Sequence, residues 1–248
     1  MADKTKDLKK KLFSQKKNGW DRVSAAESKK IDSYCKHYMA FLDAGKTERL
    51  CAAEAIRLAE KEGYVPYERG MALKSGDKVY VCNRGKGVML AYLGNKTLEE
   101  GAQITAAHID SPRLDLKQNP LYESDELAFL KTHYYGGIRK YQWVTIPLEL
   151  HGVVALKSGQ TIRVSIGNGE GDPLFTIDDL LPHLGAEQSR KPLGEAIPAE
   201  SLNILVGSRP LRDDEGSDRV KLSVLELLNR KYGIVEEDFL SAELCAVP

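Results

Sequence analysis

The amino-acid sequence predicts an α/β protein whose second part is rich in β-strands. Three observations lead to this fold class: two amphipathic helical segments near the N-terminus, one continuous apolar run at residues 103–109 (QITAAHI), and a series of short strand-like segments from about residue 114. An apolar run without alternation is typical of a strand buried on both faces inside an α/β sheet. A chain of 248 residues is long enough for one large domain or two small ones.

Two helices are predicted before residue 64. Ser24 and Glu27 form a capping box at the start of the first helix, because each side chain satisfies a backbone N–H of the other residue. Apolar residues follow at helical spacing, and a glycine then ends the helix: Ile31, Tyr34, Cys35, Tyr38, Met39, Leu42 and Gly45. Thr47 is predicted to cap the second helix, which ends at Gly63 and places four residues on one face: Leu50, Ala53, Ile56 and Ala59.

Strands follow these helices. KVYVCN (78–83) and GVMLAYLG (87–94) form a predicted hairpin, with the turn glycines in RGKG (84–87). Further strands are predicted in LDL (114–116), LAFLKTH (127–133), WVTIPLELHGVVAL (143–156), QTIRVSIG (160–167) and LNILVG (202–207). DDLLPHL (178–184) is predicted as a helical turn, and Asp218 precedes a helix with an apolar face at Val220, Val224, Leu227 and Leu228. SAELCAVP (241–248) is a last strand candidate with no cap and no polar tail, so we expect the chain to stop within a domain.

Composition excludes several classes of protein. Lysine plus arginine and aspartate plus glutamate both number 36, so no basic excess favours nucleic acid. No window approaches the roughly 18 consecutive apolar residues of a membrane span, and the basic N-terminus lacks the apolar region of a secretory signal. The four cysteines are scattered, which fits neither a zinc ribbon nor a disulfide framework. The sequence therefore predicts a soluble cytoplasmic protein without nucleic-acid or membrane partners.

His108 is the histidine with the clearest chemical context. It lies at the carboxyl end of the predicted buried strand, where open α/β sheets place their ligands. Asp110 is close enough in sequence to orient the ring or a metal-activated water. A lone His-x-Asp also occurs by chance, so an ordinary polar pair at a strand end remains an alternative. Another is a mononuclear metal hydrolase in which His133 and His151 converge with His108.

Two longer stretches resemble a known family. AAHIDSPRLDLK (106–117) and HYYGGIRKYQWVTIPLELHGVV (133–154) strongly resemble the aspartyl aminopeptidase family of binuclear zinc aminopeptidases, closest to its bacterial branch. The resemblance extends over nearly the whole chain from about residue 20. It implies a zinc-peptidase-like α/β sandwich interrupted by a β-rich dimerisation domain. Residues 1–113 would be the N-terminal part of the catalytic domain and residues 114–248 the insertion, with the remainder of the catalytic domain absent.

The resemblance also implies roles for three residues. His108 would be a zinc ligand and Asp110 its catalytic, orienting neighbour. His183 would be a catalytic residue that reaches into a neighbouring subunit's active site, although a partly exposed loop histidine is an equally good interpretation. The family uses two zinc ions per complete site, and its other ligands follow the inserted domain, so this chain would contribute one expected ligand. The resemblance further implies homo-oligomers that assemble through the inserted domain.

The function implied is a zinc-dependent aminopeptidase that hydrolyses acidic or neutral N-terminal residues from peptides. Because a single imidazole does not hold catalytic zinc, the chain is predicted to be an N-terminal fragment that is inactive alone. The alternative is a non-catalytic assembly module that uses the inserted domain. Arg113 and Arg139 could meet an acidic substrate side chain, but exposed arginines without such a role are commoner.

Overall fold

A computed structural model describes residues 2–14, 16–212 and 215–248. The chain separates into two compact units, Met1–Gly45 and Lys46–Pro248. The α-helices of the described residues are α1 (Ala2–Leu12), α2 (Ala25–Ala44), α3 (Glu48–Lys61), α4 (Leu193–Ala196) and α5 (Arg219–Tyr232). None of these described helices has the length and apolar character needed to cross a membrane.

The first unit contains the predicted capping box. The Ser24 hydroxyl accepts a hydrogen bond from the Glu27 N–H at 3.2 Å, and the Glu27 carboxylate accepts one from the Ser24 N–H at 2.8 Å. This confirms the predicted start of α2, and Gly45 caps its end through the Phe41 carbonyl. The predicted apolar face is present but not covered, since no α2 residue is buried and Tyr34 is 70% exposed.

The second unit begins with α3. The Thr47 hydroxyl accepts a hydrogen bond from the Leu50 N–H at 3.2 Å, which confirms the predicted cap. Of the predicted apolar face, Ala59 is buried and Leu50 and Ile56 are partly buried, whereas Ala53 is exposed. Cys51 and Ala52 are buried as well. Helical spacing fixes the period of the apolar residues, but the packing partner determines which face lies inward.

A small sheet lies against α3 and has the order β1-β2-β3. Its strands are β1 (Val65–Pro66), β2 (Lys78–Asn83) and β3 (Gly87–Tyr92). β2 and β3 form the predicted hairpin, and both Arg84 and Gly85 have positive φ at the turn (55° and 69°). Two successive residues with positive φ match the right-handed twist of the strands, as in type I′ turns.

The strand predicted at residues 103–109 is wrong. These residues have no regular secondary structure and are largely exposed, with Ile104 at 85%. A strand inside an α/β sheet is hydrogen-bonded to neighbouring strands and covered on both faces, whereas no strand of the described residues pairs with this segment. Residues 103–109 therefore have the apolar composition of a central strand, but no described strand lies beside them.

Within the described residues, the larger sheet has six strands in the order β7-β6-β9-β4-β5-β8. They are β4 (Arg113–Ser124), β5 (Leu127–Tyr135), β6 (Glu149–Ala155), β7 (Thr161–Ile166), β8 (Ile204–Gly207) and β9 (Ala242–Val247). The β-rich region after residue 113 is thus confirmed, except that Trp143–Ile146 forms a turn rather than a strand. The predicted last strand is confirmed as β9, which pairs with β6 on one side and with β4 on the other.

α5 covers part of this sheet by packing against β4, β5 and β8. Of its predicted apolar face, Val220 is fully buried and Val224 and Leu228 join the core, but Leu227 is half exposed. The core of the unit includes other side chains with almost no accessible surface: Leu114, Leu148, Ile177, Leu202, Ile204 and Ile234.

The N-terminus of α5 is capped from a distant strand. Asp218, which precedes the helix, makes no side-chain cap. Instead one carboxylate oxygen of Glu123 on β4 accepts hydrogen bonds from the Val220 and Lys221 N–H groups, both at 2.8 Å. We expect Glu123→Ala to lower the free energy of unfolding by about 1–2 kcal/mol. The substitution removes the acceptor of two backbone N–H groups, and it removes a negative charge that interacts favourably with the N-terminus of the helix.

Urea unfolding followed by circular dichroism would measure this difference. Glu226→Ala, at an exposed position of α5, is the matched control and should change stability by less than about 0.5 kcal/mol. Equal effects of the two substitutions would show that Glu123 does not cap the helix.

Candidate functional site

His108 and Asp110 are hydrogen-bonded to each other. The His108 Nδ1 lies 3.0 Å from the Asp110 backbone oxygen and 3.1 Å from Asp110 Oδ1. A carbonyl and a carboxylate only accept hydrogen bonds, so Nδ1 carries the ring proton of the neutral histidine. Nε2 then keeps its lone pair, and the His108 side chain is 85% exposed. This is the tautomer in which a histidine ligates a metal through Nε2.

The second oxygen of Asp110 binds Tyr135. The Tyr135 hydroxyl donates a hydrogen bond to Asp110 Oδ2 at 2.7 Å. This hydrogen bond is the main reason why the pKa of Asp110 is held below its usual range, and the contact with His108 adds to it. The same contact raises the pKa of Tyr135. Asp110 is therefore a carboxylate at neutral pH, with one oxygen toward His108 and the other toward Tyr135.

The site is attached to the open end of the β4–β5 hairpin. Arg113, at the start of β4, is the register partner of Tyr135, at the end of β5. Pro112 lies beside Gly136, where an added Cβ would be 3.5 Å from the Pro112 Cα. The irregular segment that carries His108 is therefore fixed where it enters the larger sheet.

His183 does not join this pair. It lies in the turn at Pro182–Leu184, which is closed by hydrogen bonds from the Leu184 and Gly185 N–H groups to the Leu181 carbonyl, both at 2.9 Å. The turn predicted for this segment is thus confirmed. The His183 side chain is exposed, and no contact within the described ranges connects it to His108 or Asp110.

The other two strand histidines have structural surroundings. His133 is exposed on β5, and its ring stacks on Tyr134 with 5.6 Å between centroids. His151 is buried at 3% exposure, with Nε2 2.8 Å from a Glu149 oxygen and Nδ1 3.2 Å from the Ser165 hydroxyl. They do not converge with His108, so the geometry does not support a mononuclear hydrolase built on these three rings.

A complete zinc site is not present in this part of the polypeptide. Catalytic zinc takes about three protein ligands, and the residues that the structure describes contain no group of three or more His, Cys, Asp or Glu side chains arranged to hold a metal ion. His108 fits the role of one ligand, because Asp110 orients its ring and leaves Nε2 available. The described residues alone do not supply enough ligands for a zinc ion, so we derive no metal-dependent step from them.

Comparison with known proteins identifies the family. Residues 41–248 match the peptidase M18 family, described as aminopeptidase I zinc metalloprotease. This chain belongs to the M18 aminopeptidase family. A probable M18 family aminopeptidase 1 from Clostridium acetobutylicum is 49% identical over 241 residues, which cover 96% of this chain and 52% of that protein. The resemblance to zinc aminopeptidases in the sequence is thereby confirmed.

Solved M18 structures share the fold. The Thermotoga maritima aminopeptidase matches with a TM-score of 0.87 and 42% identity, covering 95% of this chain and 51% of that one. A Saccharomyces aminopeptidase described as a dodecamer matches at 17% identity with a TM-score of 0.61, over 88% of this chain and 48% of that one, and shares the fold alone. The α/β fold class is confirmed, and the chain spans about half the length of the relatives that it matches.

Sequence reasoning missed Tyr135. The residue stands in HYYGGI, where two adjacent tyrosines at a strand end carry no sign of which one turns toward Asp110. Arg113 was expected to be an exposed arginine, but its side chain is only 13% exposed. Only the pairing of β4 with β5 brings these residues to the His-x-Asp segment.

Proposed function

We propose that this chain supplies the His108–Asp110 part of a zinc aminopeptidase active site. The remaining metal ligands would come from polypeptide equivalent to the half of the M18 relatives that this chain does not match. The observation that carries the proposal is the geometry of the pair: the Asp110 carboxylate holds His108 Nδ1 and leaves Nε2 available to a metal. The activity would be removal of N-terminal residues, acidic or neutral, from peptides, and the chain alone would be inactive.

The exposed surface supports a missing partner. In the second unit, exposed apolar side chains include those on β2 and β3 and in the segment before β4: Val81, Met89, Leu90, Tyr92, Leu98 and Ile104. β3 is also the edge of its sheet, and an apolar unpaired edge is a surface that proteins normally cover.

The division into domains follows from the same proposal. Residues 1–113 would belong to the catalytic domain and residues 114–248 to an inserted β-rich domain through which the protein forms homo-oligomers, as the dodecameric yeast relative suggests. His183 would then act in a neighbouring subunit's site, which fits its exposure. The four unpaired cysteines agree with a reducing, cytoplasmic location.

Zinc content tests the proposal. The pure 248-residue chain is expected to contain close to no zinc after dialysis, because one imidazole is too weak a site. Co-expression with the unmatched half of the Clostridium acetobutylicum relative is expected to give a complex with about two zinc ions per active site and with aminopeptidase activity. Elemental analysis measures the first quantity, and hydrolysis of aspartyl and leucyl p-nitroanilides measures the second.

His108→Ala is the matched variant. It should assemble with the same partner half but lose zinc and activity, while His133→Ala, at an exposed position outside the site, should keep both. Zinc bound to the pure chain, or peptidase activity from it, would contradict the proposal.

A non-catalytic assembly module is the second candidate. It is favoured by the larger sheet, whose six strands are paired and have a core of their own within the described residues. A chain that forms homo-oligomers but never binds zinc with the partner half would support it. Size-exclusion chromatography with light scattering on the same preparations distinguishes the two candidates.

A further inference from the structure

The hydrogen bond from Tyr135 to Asp110 connects the larger sheet to the candidate site. We propose that Tyr135 is a positioning residue that fixes the Asp110 carboxylate, so that Asp110 holds the His108 ring in the Nδ1–H tautomer. The geometry of the proposal stands on this chain alone. Its consequence for metal binding rests on the proposed function.

The two carboxylate oxygens of Asp110 have different partners. Oδ1 lies 3.1 Å from His108 Nδ1, and Oδ2 accepts the Tyr135 hydroxyl at 2.7 Å. A carboxylate that is engaged through both oxygens cannot rotate about its Cβ–Cγ bond without breaking one contact. The Asp110 backbone oxygen also lies 3.0 Å from Nδ1. Without Tyr135, the carboxylate itself would keep only its exposed contact with the ring, in competition with water.

Tyr135 itself is also anchored. The guanidinium carbon of Arg113 lies 4.0 Å from the centroid of the Tyr135 ring, a stacked cation–π contact. Arg113 is held in turn by Asp115, whose Oδ1 lies 2.7 Å from Nε, and by Glu48, whose Oε2 lies 3.3 Å from Nη1. The second contact is an ion pair without hydrogen-bond alignment, since Nη1 has no hydrogen-bond partner.

A continuous set of contacts therefore runs from α3 and β4 to the candidate ligand. Glu48 and Asp115 fix Arg113, Arg113 fixes the Tyr135 ring, and the Tyr135 hydroxyl fixes Asp110. Arg113 accordingly positions the Tyr135 ring, and we assign it no contact with the substrate. The larger sheet thereby holds the His108 ring in place through Tyr135 and Asp110.

Histidine tautomers provide a readout that needs neither zinc nor activity. The chain would be labelled with ¹⁵N in its histidine rings and observed by long-range ¹H–¹⁵N correlation at a pH well above the usual histidine pKa. In the unmodified chain we expect His108 to carry its proton on Nδ1. In Tyr135→Phe, the ratio of the two tautomers should shift about 3- to 10-fold toward Nε2–H, which corresponds to the loss of one supporting hydrogen bond.

Tyr134→Phe is the matched control, because the adjacent tyrosine stacks on His133 instead. It should leave the His108 ratio unchanged. Fluorescence of the buried Trp143 verifies that each variant is folded. Arg113→Lys, which keeps the charge but loses the planar stack, is a second variant and should shift the ratio in the same direction as Tyr135→Phe.

A His108 tautomer ratio that is the same in Tyr135→Phe and Tyr134→Phe would overturn the proposal. In the co-expressed complex, Tyr135→Phe is further expected to weaken zinc binding about 10-fold or more, as is usual for residues that orient a ligand. If the tautomer shifts in the chain but the unmodified complex binds no zinc, the proposed function fails while the positioning role of Tyr135 stands.

Discussion

Replacing Gly152 by alanine is expected to prevent stable folding of the larger sheet. Gly152 has a φ of 151° in the middle of β6, a conformation that residues with a side chain rarely adopt. An added Cβ would lie 1.9 Å from the Glu243 carbonyl oxygen on β9 and 2.9 Å from its carbon. Backbone strain and steric overlap together should cost about 4 kcal/mol or more, which is a large part of the usual stability of about 5–15 kcal/mol.

Urea unfolding of the purified variant, or its recovery in the soluble fraction when it does not fold, measures this cost. Gly194→Ala is the control, because Gly194 lies in α4 and has open space around the position of a Cβ. That substitution should be neutral or slightly stabilising. A Gly152→Ala variant with unchanged stability would mean that β9 does not lie as close to β6 as described.

Gly152 illustrates what sequence can and cannot predict in this chain. HGVV in the middle of a strand-like run predicts β-structure, and β6 confirms it. The requirement for glycine comes from a backbone carbonyl on β9, which lies far later in the sequence. Local patterns identified the strand, but the reason for the glycine depends on which strand becomes its neighbour.

The contrast between local patterns and long-range contacts also separates the successful predictions from the others. The Ser24–Glu27 capping box, the Thr47 cap and the turn at Arg84 and Gly85 each involve residues within three or four positions of one another. Each was therefore predictable from the sequence. The cap of α5 depends on Glu123, and the segment at residues 103–109 lacks a strand partner. Both of these outcomes are determined by long-range contacts that a local pattern does not contain.

The candidate site follows this rule as well. His108 and Asp110 are two positions apart, and their hydrogen bond was anticipated from spacing. Tyr135 joins them only because β4 and β5 pair in one register, with Arg113 opposite Tyr135. The tertiary structure thus adds a second layer of contacts to a pair that the sequence had already identified.

A partly buried network around Glu149 is the other feature expected to have a large effect on stability. Its Oε1 accepts a hydrogen bond from the Lys46 ammonium at 2.7 Å, and its Oε2 accepts one from His151 Nε2 at 2.8 Å. Burial by itself would raise the pKa of Glu149, but the contacts with Lys46 and His151 outweigh it, so the pKa lies below the usual value of 4.5. Glu149 is therefore ionised in the folded chain and links the start of α3 to β6.

Glu149→Gln is expected to lower the free energy of unfolding by about 2–4 kcal/mol at neutral pH. The loss of one member of a partly buried pair leaves the other partly uncompensated. The partial exposure of Lys46, 24% of its side chain, places the cost below the upper limit for fully buried pairs. Urea unfolding at neutral pH measures the difference. Glu226→Gln, at an exposed position of α5, should change stability by less than about 0.5 kcal/mol.

The pH dependence of that difference tests the cause. A carboxyl group whose folded pKa is depressed stabilises the folded chain above its unfolded pKa, and this contribution is lost as the pH falls through the folded value. The difference in the free energy of unfolding between the unmodified chain and Glu149→Gln should therefore be constant near neutral pH. This difference should decrease as the pH falls below about 4.5. A difference that stays constant through acid pH would show that the glutamine disturbs packing, and that the charge on Glu149 does not stabilise the contact with Lys46.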